Sequence, residues 1–140
     1  MSNLIFASIF LFAGVLLSYF LSDVFNLRLL KRNKAIDGHT FDSKMSFEEM
    51  KNRIIELSEH GKYKLQEINS KTVIISDPLN WLDFGHFYEI SEKNGQYFIK
   101  TRSRYFLNLD LYNRGNIKVK RLESYLVKPP NIMTFSKTGT

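Results

Sequence analysis

The chain has 140 residues, a formal charge of +6 and no cysteine. Without cysteine there can be no disulfide framework, thiolate nucleophile or cysteine-ligated zinc. The charge is dispersed, with 14 basic against 12 acidic side chains over residues 40–126, which argues against nucleic acid as a partner, because such modules gather cations on one face.

No side chain between Ser2 and Ser22 is charged, and Leu4–Leu21 is dominated by Leu, Ile, Phe, Val and Ala. Eighteen helical residues cover ~27 Å, close to the hydrocarbon thickness of a bilayer. This predicts a transmembrane helix. A cleavable signal peptide needs basic residues before the apolar run and a small-x-small site after it. Met1-Ser2-Asn3 and Ser22-Asp23-Val24-Phe25 supply neither. The core helix of a soluble protein would keep a polar face, and none is present. The helical pattern runs on through Val24, Leu27 and Leu30, so residues 1–30 read as an anchor with an extension along the interface. Arg28, Lys31, Arg32 and Lys34 follow the apolar run. Basic flanks stay inside, which places the N-terminus outside and the C-terminal domain in the cytoplasm. The same cations attract anionic membrane lipid by roughly 1 kcal/mol each. Gly14 and Ser18 continue to Ser22 at a spacing of four. Small residues so spaced suit a helix–helix contact between two anchors, and hence a homo-oligomer.

Residues 31–41 are polar and contain Gly38, which reads as a juxtamembrane linker. A small domain over 42–126 follows. Ser46-Phe47-Glu48-Glu49 is a capping box, and Phe47, Met50, Ile54 and Leu57 form the apolar stripe of a helix ending at His60-Gly61. The period then changes to two. Tyr63–Ile68 and Lys71–Ser76 predict strands, with Leu65, Ile74 and Tyr63 on one face. Asp77-Pro78-Leu79-Asn80 predicts a turn. Asn94-Gly95 between Leu82–Lys93 and Gln96–Arg104 predicts a type I′ hairpin. Its two-residue loop sets Lys93 opposite Gln96, Glu89 opposite Lys100 and Phe84 opposite Tyr105. His86, Tyr88 and Ile90 with Ile99, Thr101 and Ser103 make the core face. Leu107, Leu109 and Leu111 extend the alternation, and Asn113–Asn116 breaks it. Ile117–Leu126 predicts a second helix with Val119, Leu122 and Leu126 inward. Pro129-Pro130 ends it, and residues 127–140 have the composition of a flexible tail. The fold class is α+β: an N-terminal transmembrane helix, then an antiparallel sheet of four or five strands packed with one or two helices.

The chemistry-bearing residues do not assemble into a motif. His39, His60 and His86 lack partners at metal-binding spacings, and no phosphate loop, HExxH or GxSxG occurs. Asp77 and Asp83 flank Trp81 as turn formers. No cofactor, metal or catalytic residue is assigned. Lys100, Arg102 and Arg104 project from one side of one strand, ~6–7 Å apart. With Phe98 they make a candidate surface for an acidic protein partner or lipid headgroups, or else a solvated sheet face. The functional expectation is a membrane-anchored, non-enzymatic interaction or regulatory protein. The alternative is a small ligand-binding domain or enzyme with a pocket between sheet and helix, using His86 and Tyr88.

Overall fold

The Asn94-Gly95 turn organises the sheet. Both residues adopt positive φ, 56° and 77°, as a type I′ turn requires. The strands on either side, β4 (His86–Lys93) and β5 (Gln96–Ser103), pair in the expected register, with Glu89 opposite Lys100 and Ile90 opposite Ile99. A computed structural model of the chain describes residues 2–32, 38–78, 85–104 and 114–127. Its elements run α1 (Ser2–Arg32), β1 (His39–Asp42), α2 (Phe47–Glu59), β2 (Lys64–Ile68), β3 (Thr72–Ser76), β4, β5 and α3 (Arg114–Val127). The fold is α+β. One antiparallel sheet has the order β1-β5-β4-β3-β2. The expected strand through Leu107–Leu111, the Phe84–Tyr105 pair and the tail beyond Val127 lie outside the described residues.

The main core lies between one sheet face and helices α2 and α3. Met50, Ile54 and Leu57 of α2 and Val119, Leu122 and Leu126 of α3 close over Val73, Ile75, Tyr88, Ile90, Tyr97 and Ile99. The Tyr97 hydroxyl donates to the Met45 carbonyl at 2.6 Å. The buried Arg53 donates to the Leu126 carbonyl at 2.6 Å, tying α2 to the end of α3. Helix α3 begins at Arg114, three residues before the expected start. Gly115 is buried there.

Two local expectations change. The strand β1 falls inside the expected linker. Four residues with one large apolar side chain give too short an alternation to detect. Phe41 nevertheless stacks on Tyr97 at 5.4 Å, and β1 covers the edge of β5. Leu65 and Ile74 do not share a face. An irregularity between Leu65 and Glu67 sets Leu65 opposite Ile75. Ile74, paired with Glu89 of β4, faces the far side of the sheet, where it meets Leu30 and Phe87. The extension of α1 packs on that far side of the sheet.

The α2 start is as the capping box requires. The Ser46 hydroxyl accepts from the Glu49 amide at 3.3 Å, and the Ser46 amide donates to the Glu49 carboxylate at 2.8 Å. The backbone and side-chain bonds from Ser46 hold the Glu49 carboxyl below its ordinary range. Ser46→Ala is expected to lower the unfolding free energy by about 1 kcal/mol. Because the folded carboxyl titrates below the unfolded one, its contribution is present above the unfolded pKa of about 4.3 and fades as pH falls through the folded value. In denaturant titrations of wild type and Ser46→Ala between pH 7 and pH 3 the gap should narrow only by the hydroxyl–carboxylate bond, because alanine keeps the backbone donor to Glu49. A constant gap would separate the cap from the Glu49 charge.

Candidate functional site at the junction of helix and sheet

The helix α1 has two unlike halves. From Leu4 to Leu21 its apolar side chains stand exposed, including Phe10 at 75% and Leu11 at 73%. It is long and apolar enough to cross a membrane. From Ser22 onward the same unbroken helix is docked. Leu30 is fully buried and Leu27 partly so against Ile74 and Phe87. Burying one such leucine stabilises by about 2 kcal/mol. Ser22, Asn26 and Leu30 are spaced by four, so one face of the helix meets the sheet.

At the end of that face lies a dense polar junction. The Ser22 hydroxyl and the Asn26 amide donate to the Arg104 carbonyl at 3.0 and 3.1 Å. Arg102 donates to Asn26 Oδ1 at 2.8 Å. Arg104 forks onto the Asp23 carboxylate, with Nε to Oδ1 at 2.8 Å and Nη2 to Oδ2. Its guanidinium also lies 5.1 Å from the Phe87 ring centroid. The hydrogen-bonded Asp23 carboxylate raises the Arg104 pKa above its ordinary value. Farther along, Lys31 pairs with Glu67 of β2.

Arg104 also reaches around the end of the sheet. Its Nη1 donates to the Asp77 carbonyl at 3.2 Å. The Asp77 carboxylate accepts from the His86 amide at 3.0 Å, the Tyr88 hydroxyl at 3.0 Å and Lys118 Nζ at 2.7 Å. Lys118 Nζ is 3.3 Å from His86 Nδ1. Gly85 is required beside this cluster. Its φ is +81°, and a Cβ there would sit 3.1 Å from the Asp77 Cβ. Tyr63 meets Tyr88 edge-on at 5.9 Å. Burial, aided by the Asp77 charge, pushes the Tyr63 hydroxyl pKa up. A polar chain thus runs Asp23–Arg104–Asp77–Lys118, from α1 on one side of the sheet to α3 on the other.

The residues marked by sequence are distributed as follows. Arg102 and Arg104 do not present the open docking row expected of them, because α1 covers them and takes their hydrogen bonds. Lys100 donates to Glu89 at 3.1 Å and, like Phe98, is half-buried on the same sheet face. Arg28 and Arg32 are exposed, and Lys34 lies outside the described residues. Gly14 and Ser18 lie in the exposed half of α1, where a Cβ on Gly14 would touch nothing. His86 sits opposite Ser103 as expected and is buried. His39 Nε2 lies 2.6 Å from Glu123 of α3. No group of His, Asp or Glu suited to a metal ion occurs among the described residues. No sequence motif marks Asp23, Asn26 or Lys118. The one available signal was the spacing of Ser22, Asn26 and Leu30 just past the apolar run.

Fold and site together define a class: a small α+β domain built directly onto a long apolar helix. No protein-family model, curated protein or solved structure matches the chain.

Proposed function

We propose that the chain is a single-pass, membrane-anchored, non-enzymatic interaction or regulatory protein whose domain faces the cytoplasm. The observation that carries this reading is the continuity of α1. One helix leaves the apolar stretch and docks on the sheet without a break, so anchor and domain move as one body. That arrangement suits a module whose position or tilt at the membrane matters more than turnover. The groups most suited to proton transfer, Asp77, His86, Tyr88 and Lys118, are bonded to one another. A groove of about 340 Å³ beside α3 is lined by His39, Asn116, Ile117 and Lys120 and does not include them. Membrane lipid, an acidic protein partner and a second anchor helix at Gly14 and Ser18 are the partners this reading allows.

The second reading is a small ligand-binding domain or enzyme. It is favoured by the same cluster, four titratable side chains gathered at one sheet end. One preparation separates the two. Full-length protein solubilised from membranes is captured and its companions identified, alongside Phe98→Ala/Lys100→Ala, which alters the part of the basic face that α1 leaves half-exposed. A stoichiometric protein companion lost in the double variant supports the interaction reading. A co-purifying small molecule sensitive to His86→Ala, with no protein companion, supports the second. A reporter fused after Thr140 should be active only as a cytoplasmic fusion, and activity of an externally folded reporter would reverse the orientation.

A further inference from the structure

The continuity of α1 fixes more than rigidity: it fixes which surface of the domain meets the bilayer. The argument rests on the membrane reading of residues 4–21 above. The helix meets the sheet at the end of the apolar run. Ser22 bonds the Arg104 carbonyl at 3.0 Å, and Asp23 is paired to the Arg104 guanidinium. Hydrocarbon must cover the apolar run up to Leu21. Arg104 then lies at the depth of the very next residues. The headgroup layer on each side of a bilayer is ~5–8 Å thick, and two helical residues advance only ~3 Å. The end of the sheet at Arg104 therefore falls within that layer.

The other strand ends at the same level follow from pairing. Ser103 is opposite His86, and Ser76 is opposite Phe87. The Asp77 amide donates to the His86 carbonyl at 2.9 Å, and the Arg104 amide donates to the Gly85 carbonyl at 3.0 Å. Asp77, Pro78, Gly85 and Arg104 thus share one end. The Asn94-Gly95 turn marks the opposite end, nine residue steps from Gly85 or ~30 Å away along the strand. Along α1 the contacts move inward and also cross the sheet, from Arg104 after β5 at Asp23 to Phe87 of β4 and Ile74 of β3 at Leu30 and Glu67 of β2 at Lys31. The helix therefore crosses the strands obliquely, and its component along β4 points away from the apolar run.

The geometry points to a lipid-facing seat: the sheet end formed by Asp77, Pro78, Gly85 and Arg104 rests among phospholipid headgroups, and the Asn94-Gly95 turn stands away from the membrane. The buried Asp23–Arg104 pair suits the hydrated headgroup layer. A charged pair at this depth is matched to a polar layer and would be costly a few residues higher.

The absence of cysteine makes the test clean. Single-cysteine variants of the full chain, Pro78→Cys, Glu92→Cys and Leu11→Cys, are labelled with one environment-sensitive fluorophore. All three positions are exposed. The proteins are reconstituted in phosphatidylcholine–phosphatidylglycerol vesicles containing lipids spin-labelled either in the headgroup or deep in the acyl chain. The label at 78 should be quenched several-fold more by headgroup spin labels than the label at 92. The label at 11 should be quenched most by the deep spin labels. If 11 is quenched as expected but 78 and 92 respond equally, or 92 responds more, the seat is wrong while the anchor stands. If 11 is not quenched by deep spin labels, the membrane reading itself fails, and the seat with it.

Discussion

Replacing Arg104 by alanine is expected to lower the unfolding free energy of the detergent-solubilised chain by about 3 kcal/mol, the magnitude seen when one partner of a largely buried ion pair is removed. The Arg104 side chain is 7% exposed and that of Asp23 22%, so solvent screens the pair far less than at an open surface. The loss has three parts: the fork onto Asp23, the bond to the Asp77 carbonyl and the contact with the Phe87 ring. Asp23→Ala should cost less, because it leaves Arg104 bonded to the Asp77 carbonyl and beside Phe87. The double variant should cost less than the sum of the two, since each single change already breaks the shared pair. Urea titration of the four proteins gives the cycle. A loss under about 1 kcal/mol for Arg104→Ala would equate the pair with ordinary surface ion pairs and remove it as the clamp of the helix. Limited proteolysis near Arg28 and Lys31 supplies a second reading. Cleavage should accelerate in Arg104→Ala if the docked half of α1 loosens.

The second large effect is at Asp77. One carboxylate there serves three donors from two elements: the His86 amide and Tyr88 hydroxyl of β4 and the Lys118 ammonium of α3. Asp77→Ala is expected to cost about 3 kcal/mol, at roughly 1 kcal/mol for each donor that loses this acceptor. Asp77→Asn keeps the shape and one acceptor oxygen but turns an amide donor toward groups that donate, so an intermediate loss is expected. Lys118→Met removes only the α3 contact and should be the mildest of the three. Thermal unfolding of the full chain in micelles orders them. An unchanged midpoint for Asp77→Ala would mean that the cluster is a loosely held polar site, and the ligand-binding reading would gain. Arg104 bonds the Asp77 carbonyl, which Asp77→Ala keeps, but the Asp77 charge also acts on Arg104, so a coupling of about 0.5 kcal/mol is expected between the two changes. A strong coupling would show that the polar chain across the sheet end acts as one unit.

Wherever one local rule governs one residue, the sequence was sufficient. The capping box at Ser46 and Glu49, the left-handed Gly61 after α2, and the hairpin register set by Asn94-Gly95 are all short-range. Each depends on contacts within a few positions, and the structure carries each as expected. The apolar run of Leu4–Leu21 is likewise a property of composition, and the helix there is long and apolar enough to span a bilayer. Tertiary structure decided what these pieces do to one another. Alternation marks the two faces of β5 but not which cover each receives, so Arg102 and Arg104 read as a basic row open to a partner. Only the packing of Leu27 and Leu30 on Ile74 and Phe87 brings Asp23 and Asn26 over that row. Leu65 parts from the face of Ile74 through a local irregularity in β2 that no spacing rule announces. The chain from Asp23 through Arg104 and Asp77 to Lys118 joins residues up to 95 positions apart. Such a cluster has no periodicity, because it is assembled by strand ends meeting at one level, and that level is set by the sheet as a whole.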